Sequence, residues 1–175
     1  MRIATKMGDK GESGLLNGQR VSKSDIVFDV LGNLDELQSV LAWAKLSLGK
    51  FKKREIRKIL EGILDNLWTM MGLVGNEMKL SDELVLGIHE TDLEKVEKEI
   101  SRLEGIGDTV ETFVRPGKNE ASSRIHIART VCRRAERSFV RMGKTRTELK
   151  GEQFDLILKY LNRMSDLLFL WGERC

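Results

Sequence analysis

The chain has little of what builds small covalent or metal-held folds. Its only cysteines, Cys132 and Cys175, have no CxxC spacing, which excludes a disulfide framework, a dithiol redox pair and a thiolate zinc site. The two histidines, His89 and His126, have no partner at metal-ligand spacing, so no metal site held by the protein alone is expected. A single proline, Pro116, rules out a proline-rich linker, and aromatics at 6% argue against an all-β core. Charge of one sign is scarce as well: 30 Lys and Arg against 27 Asp and Glu leave +3, too little to imply a nucleic-acid partner. No apolar run reaches bilayer-spanning length, and the opening MRIATKMGDKG lacks the apolar centre of a secretory signal. These absences lead to the expectation of a cytoplasmic protein without membrane attachment.

What the sequence does have is helical period. With 41% hydrophobic and 33% charged residues, one domain around one buried core is expected over residues 1–175. Apolar positions step by three and four through Val27, Val30, Leu34, Leu37, Leu41, Ala44 and Leu48. They do so again through Ile56, Leu60, Ile63, Leu67, Met70, Val74 and Met78, where Trp68 and Met71 read as widening the apolar face. Thr91 to Glu94 reads as a capping box that opens a shorter, charged helix buried through Leu93, Val96, Ile100 and Leu103. Phe154, Ile157, Leu161, Met164, Leu168 and Trp171 define a last helix with Asn162, Ser165 and Asp166 on one polar side. The reading is an all-α, up-and-down bundle of four long helices plus a shorter fifth over 26–175, preceded by an arm, 1–25.

The stretch Asn119 to Met142 organises the rest. Ala121, Ile125, Ala128, Cys132, Ala135, Phe139 and Met142 form its core-facing seam. His126, Arg129, Arg133, Glu136 and Arg137 fall beside that seam as a polar stripe bordering the buried one. A basic helix surface is commonly just a solvated face. Here the arginines lack the usual Glu-to-Lys pairing four residues apart, and a guanidinium fork suits bidentate phosphate recognition, so the stripe reads as an anion-binding wall.

The arm, TKMGDKGESGLLNGQRVSKS over 5–24, sets Gly8, Gly11, Gly14 and Gly18 among Lys6, Lys10, Arg20 and Lys23, with no visible helical or strand period. Bare backbone flanked by lysines can cradle an anion, although composition alone slightly favours a flexible terminus. It matches neither a Walker loop nor GxGxxG. Between the third and central helices, Glu111 to Gly117 is an extended connector in which Phe113 is the one aromatic.

Taken together, TKMGDKGESG, GNLDELQS, FVRPG, ASSRIHIARTVCRRAER and YLNRMSDLLF, spread in order over nearly the whole chain, resemble the PduO-type ATP:cob(I)alamin adenosyltransferases. The resemblance implies a ferritin-like bundle without an internal metal site, assembled as a homotrimer with its site between neighbouring subunits. The implied reaction moves the 5′-deoxyadenosyl group of ATP to cob(I)alamin, with Mg2+ accompanying ATP. ATP contacts are implied for Thr5, Lys6, Met7, Gly8, Ser13, Gly14 and Lys23 in the arm, and for Arg133, Arg134, Glu136, Arg137 and Asn162 in the bundle. Of these, Arg133, Glu136 and Arg137 would serve the reaction itself. Phe113 would sit against the corrin, and Asp35 would pair with Arg129 across the subunit boundary. A flavoprotein reductant and a cobalamin-dependent mutase are the implied partners.

Residue chemistry agrees, because Co(I) is itself the nucleophile and the chain has no Ser/His or Cys/His pair of convincing spacing. The sequence departs from the family pattern at Met7 and Glu12 in the arm, at Lys118 where a second glycine is common, and at Glu173 where an arginine is usual. A non-catalytic ATP-binding regulatory bundle is the competing reading, with a nucleic-acid-binding bundle a more distant one.

Overall fold

The computed structural model describes residues 4, 6–48, 54–79, 87–106 and 114–174, and contains among them five α-helices and one small hairpin. They are β1 (Glu12–Gly14), β2 (Arg20–Ser22), α1 (Ile26–Ser47), α2 (Arg54–Gly75), α3 (Glu90–Glu104), α4 (Glu120–Thr145) and α5 (Glu152–Arg174), with a 3-10 turn at Thr147–Leu149 before α5. The fold is all-α and bundle-like, as the periodicity requires.

Side-chain oxygens open two of these helices. Asp25 Oδ1 accepts from Val27 N at 2.9 Å to start α1, and Asn119 Oδ1 accepts from Ser122 N at 2.9 Å to start α4. The third helix starts one residue before the expected Thr91 cap: His89 is its N-cap, and the His89 N–H donates to Asp92 Oδ2 at 3.2 Å.

The central helix is α4, packed against α1 on one side and α5 on the other, with α2 beyond α1 and α3 beyond α5. Its seam is made of small residues at Ala128, Cys132 and Ala135, all fully buried, which lets both neighbours approach closely. Lower down, Phe139 stacks on Phe154 with centroids 4.4 Å apart, and Gly143 faces the same ring so closely that an added Cβ would lie 2.3 Å from Phe154 Cζ. The expected seams of α1 and α5 are buried throughout.

One expectation is corrected, and one buried carboxylate comes in addition. Trp68 does not widen the α2 core face but is 69% exposed, because it sits more than a third of a turn from the Leu67–Met70–Val74 line. On α3, Glu99 is buried: it accepts from Arg102 Nε and Nη2 at 2.6 and 2.7 Å and from Trp171 Nε1 at 3.3 Å, strapping α3 to α5. No helix among the described residues is long and apolar enough to cross a membrane.

Candidate functional site

The residues singled out from the sequence fall into two groups on different parts of the chain. The first is the arm. Where no strand period was legible, the backbone folds back as an antiparallel hairpin, pairing Glu12 with Ser22, Ser13 with Val21 and Gly14 with Arg20. Gly11 and Gly18 stand at φ of 80° and 83°, conformations that a Cβ disfavours, and they allow the chain to turn at each end of β1. Lys23 N donates to Gly11 O at 2.8 Å, and Arg20 Nη2 donates to Met7 O at 2.8 Å. These bonds fold the segment around Gly8 back over the hairpin. The Lys23 ammonium then lies against Gly8, where an added Cβ would come within 2.9 Å of Nζ. Bare backbone and a lysine are thus side by side, the arrangement an anion needs. Lys6 and Met7 are exposed in the same segment, whereas Thr5 lies outside the described residues.

The second group lines the outer face of α4 toward α5. Arg133 and Arg137 are exposed and make no hydrogen bond or ion pair among the described residues. Between them Glu136 is half-buried and accepts from Asn162 Nδ2 at 3.2 Å, while Asn162 Oδ1 accepts from Arg163 Nη1 at 3.0 Å. Burial raises the Asp166 carboxyl above its usual range, with Glu136 and Glu104 pushing the same way against Arg163 and Arg133. Cys132 beneath is no nucleophile: burial pushes its thiol far up, and Glu136 adds to that. The face therefore offers two free guanidinium forks with one carboxylate and one amide fixed beside them.

Other predicted residues fall elsewhere. Arg134 points away from this face and pairs with Glu36 on α1. Asp35 is exposed on α1 with no partner among the described residues. Arg129 is half-buried with its guanidinium 6.0 Å from the Phe169 ring and its Nε buried without a partner. The two do not meet within one chain. Phe113 lies outside the described residues. His126 is not on the open stripe but 3% exposed, its Nε2 3.0 Å from Glu173 Oε1 and its ring edge-on to Phe169. Glu173 also takes Lys118 Nζ, so the two departures from the family pattern at the helix ends form one ion pair that ties the connector to the end of α5.

Sequence reasoning missed Glu77 and Arg146, and marked Glu173 without giving it a role. Arg146 holds Asp25 at 3.4 Å, Glu148 at 2.7 Å and Glu77, which joins the ends of α2 and α4 to the start of α1. Only the departure at Glu173 carried a sequence signal.

No hydrogen bond or ion pair among the described residues joins the arm to Arg133, Glu136, Arg137 or Asn162. Within one chain, then, no bond among the described residues couples the two groups.

Comparison with known proteins bears on the family and the fold. The family model described as cobalamin adenosyltransferase matches residues 3–175. A corrinoid adenosyltransferase of Citrobacter freundii is 36% identical over 168 residues, covering 96% of this chain and 91% of that protein. A second protein of that organism, the corrinoid adenosyltransferase PduO, is 33% identical over 97% of this chain, which spans 48% of its length. Among solved structures, a phenylalanine-to-histidine variant of a PduO-type ATP:corrinoid adenosyltransferase from Lactobacillus reuteri, complexed with cobalamin and ATP, superposes with a TM-score of 0.83 at 27% identity. That match covers 98% of this chain and 89% of the other. An arginine-to-lysine variant from the same organism, complexed with ATP, gives 0.82 at 27% identity over 98% and 93%. By its sequence over nearly its full length and by its fold, the chain belongs to the cobalamin adenosyltransferase family and is an enzyme of that family.

Proposed function

We propose that the chain transfers the 5′-deoxyadenosyl group of ATP to cob(I)alamin at a site made by the arm of one subunit and the α4–α5 face of the next. The observation that carries this is the pair of exposed forks, Arg133 and Arg137, which make no hydrogen bond or ion pair among the described residues, those of the same chain's arm included. In the reaction, the Co(I) electron pair attacks the ribose C5′, the C5′–O bond breaks, and its electrons leave on triphosphate while a Co–C bond forms. No protein base or nucleophile is required. The demand on the protein is electrostatic, since charge gathers on the leaving triphosphate.

Arg133 and Arg137 meet that demand with bidentate donors, and Lys6 and Lys23 with point charges around the backbone of Met7, Gly8, Ser13 and Gly14. Glu136, held by Asn162, orients an arginine. Mg2+ would be carried on the phosphates of ATP, where Glu136 would orient the ion or an arginine. When bound, Mg2+ supplies further charge neutralisation at the phosphates. Arg134 joins the set only by leaving Glu36.

Thr5 completes the arm's contacts, and Phe113 provides an apolar wall at the lower corrin face, favouring loss of the axial ligand and reduction to Co(I). The assembly is a homotrimer in which Asp35 of one subunit meets Arg129 of the next. The exposure of Asp35 and the lack of an ion-pair partner for either residue among the described residues favour that pairing. The arm over 1–25 and the bundle over 26–175 act as one domain. A cytoplasmic setting with a flavoprotein reductant upstream and a cobalamin-dependent mutase downstream completes the proposal. Purified protein with Mg2+, ATP and chemically generated cob(I)alamin under anaerobic conditions should consume the cob(I)alamin absorbance and release triphosphate. Recovery of ADP or pyrophosphate instead would overturn it.

A further inference from the structure

We infer that Glu77, gripped by Arg146, is a positioning residue that holds the N-terminal arm where it meets ATP, an inference that rests on the arm being the ATP-binding element. Beyond the end of α2, Glu77 and Met78 stand at φ of 52° and 60°, a left-handed conformation disfavoured for any residue with a Cβ. Two such residues in succession persist only where their surroundings over-determine them, and here they do. Met78 N donates to Leu73 O at 2.7 Å and Asn76 Nδ2 to Lys79 O at 2.6 Å, closing the turn.

The consequence is the direction of one carboxylate. Glu77 is turned inward until its side chain is 6% exposed, and both of its oxygens are used. Oε1 accepts from Arg146 Nη2, and Oε2 accepts from Asn17 Nδ2 at 2.7 Å. Asn17 lies in the turn between β1 and β2, and its own Oδ1 accepts from Gln19 N at 3.0 Å, so its amide is oriented from both ends. Beside it Leu16 N donates to Gly75 O at 2.8 Å, and the Leu16 side chain occupies the space over Gly75, 3.3 Å from where a Cβ would be. Arg146 also reaches Asp25, the cap of α1, where β2 hands over to the bundle.

The hairpin that presents Gly8 and Lys23 is thus fastened at its turn and at its exit to one guanidinium–carboxylate node. None of Asn17, Glu77 and Arg146 belongs to the ATP-binding set. A hairpin needs no buried carboxylate to form, but needs a fixed anchor to stand in one place.

The test compares wild type with Asn17→Ala, Glu77→Gln and Arg146→Lys, reading amide hydrogen exchange without ATP and steady-state kinetics with excess cob(I)alamin. Each variant should speed exchange across residues 6–24 while leaving α4 protected, and raise KM for ATP about tenfold with kcat within about twofold, the size expected for one lost bond to a charged group. Because Glu77 also holds Arg146, the Asn17→Ala, Glu77→Gln double variant should be hardly worse than Glu77→Gln alone, the two changes sharing the Asn17–Glu77 bond. Should Glu77→Gln fold poorly, Asn17→Ala in the half-exposed turn carries the test. Unchanged exchange in the arm, an unchanged KM, or a loss confined to kcat would overturn the inference. Wild type that binds no ATP would instead overturn the ATP reading, with the exchange data still deciding whether the node holds the arm.

Discussion

At Arg133 the question is geometry as much as charge. A lysine there keeps the positive charge and loses the planar fork, so Arg133→Lys should lose at least about tenfold in kcat while its melting temperature stays within about 2 °C of wild type, because the exposed side chain holds nothing in the fold. Turnover equal to wild type would remove Arg133 from the phosphates. Gly143 is the opposite case. Its missing Cβ is what lets the Phe154 ring close on α4, so Gly143→Ala should destabilise by about 1–3 kcal/mol in denaturant unfolding. The arginine stripe was legible because 3.6-residue spacing places it. The burial of His126 was not, since that depends on Glu173 and Gly172 arriving from a helix some 50 residues away, with a Gly172 that leaves room for the imidazole. Exposed Trp68 was misread for a related reason: bulk and apolarity drew it toward a core that its angle on α2 excludes.

Elements with long amphipathic runs were legible almost residue by residue, and the β1–β2 hairpin was not. Strands of three residues are too short to show alternation, their turns rest on left-handed Gly11 and Gly18, and the Asn17–Glu77 contact that meets the hairpin turn is one only the fold brings near. The α3–α5 strap gives a prediction at this scale. Although burial alone would raise the Glu99 carboxyl, hydrogen bonds from Arg102 and Trp171 and the charge of Arg102 hold it below the usual range. A depressed carboxylate contributes stability that is present above its unfolded pKa and lost as pH falls through the folded one. Wild type should therefore lose its melting-temperature advantage over Glu99→Gln on acidification below the ordinary carboxylate range. A difference that stays constant from neutral to acid pH would show that the strap acts without its charge. For the connector, Phe113→Ala should cripple the route that starts from cob(II)alamin and largely spare the one that starts from pre-reduced cob(I)alamin. Equal losses in both would make Phe113 a structural staple.

At the scale of the whole molecule, the arm of one subunit and the α4–α5 face of the next are proposed to make one site. Asp35→Arg with Arg129→Asp should recover more trimer by light scattering, and more activity, than either single reversal, because a reversed pair restores the attraction across the boundary. Strictly additive damage would place the two residues apart. Whether a site is divided between chains cannot be read from the residues themselves: periodicity orders side chains around one helix and is silent about which chain faces them. The most direct measurement is a mixing experiment between Lys23→Ala and Arg133→Ala chains, each expected to release almost no triphosphate from ATP and cob(I)alamin alone. After exchange of subunits at equal concentrations, a site built from one chain's arm and its neighbour's α4 is intact wherever an Arg133→Ala arm meets a Lys23→Ala face, so about a quarter of wild-type activity should return in a closed ring. Proven exchange with no recovery would contradict a site shared between subunits.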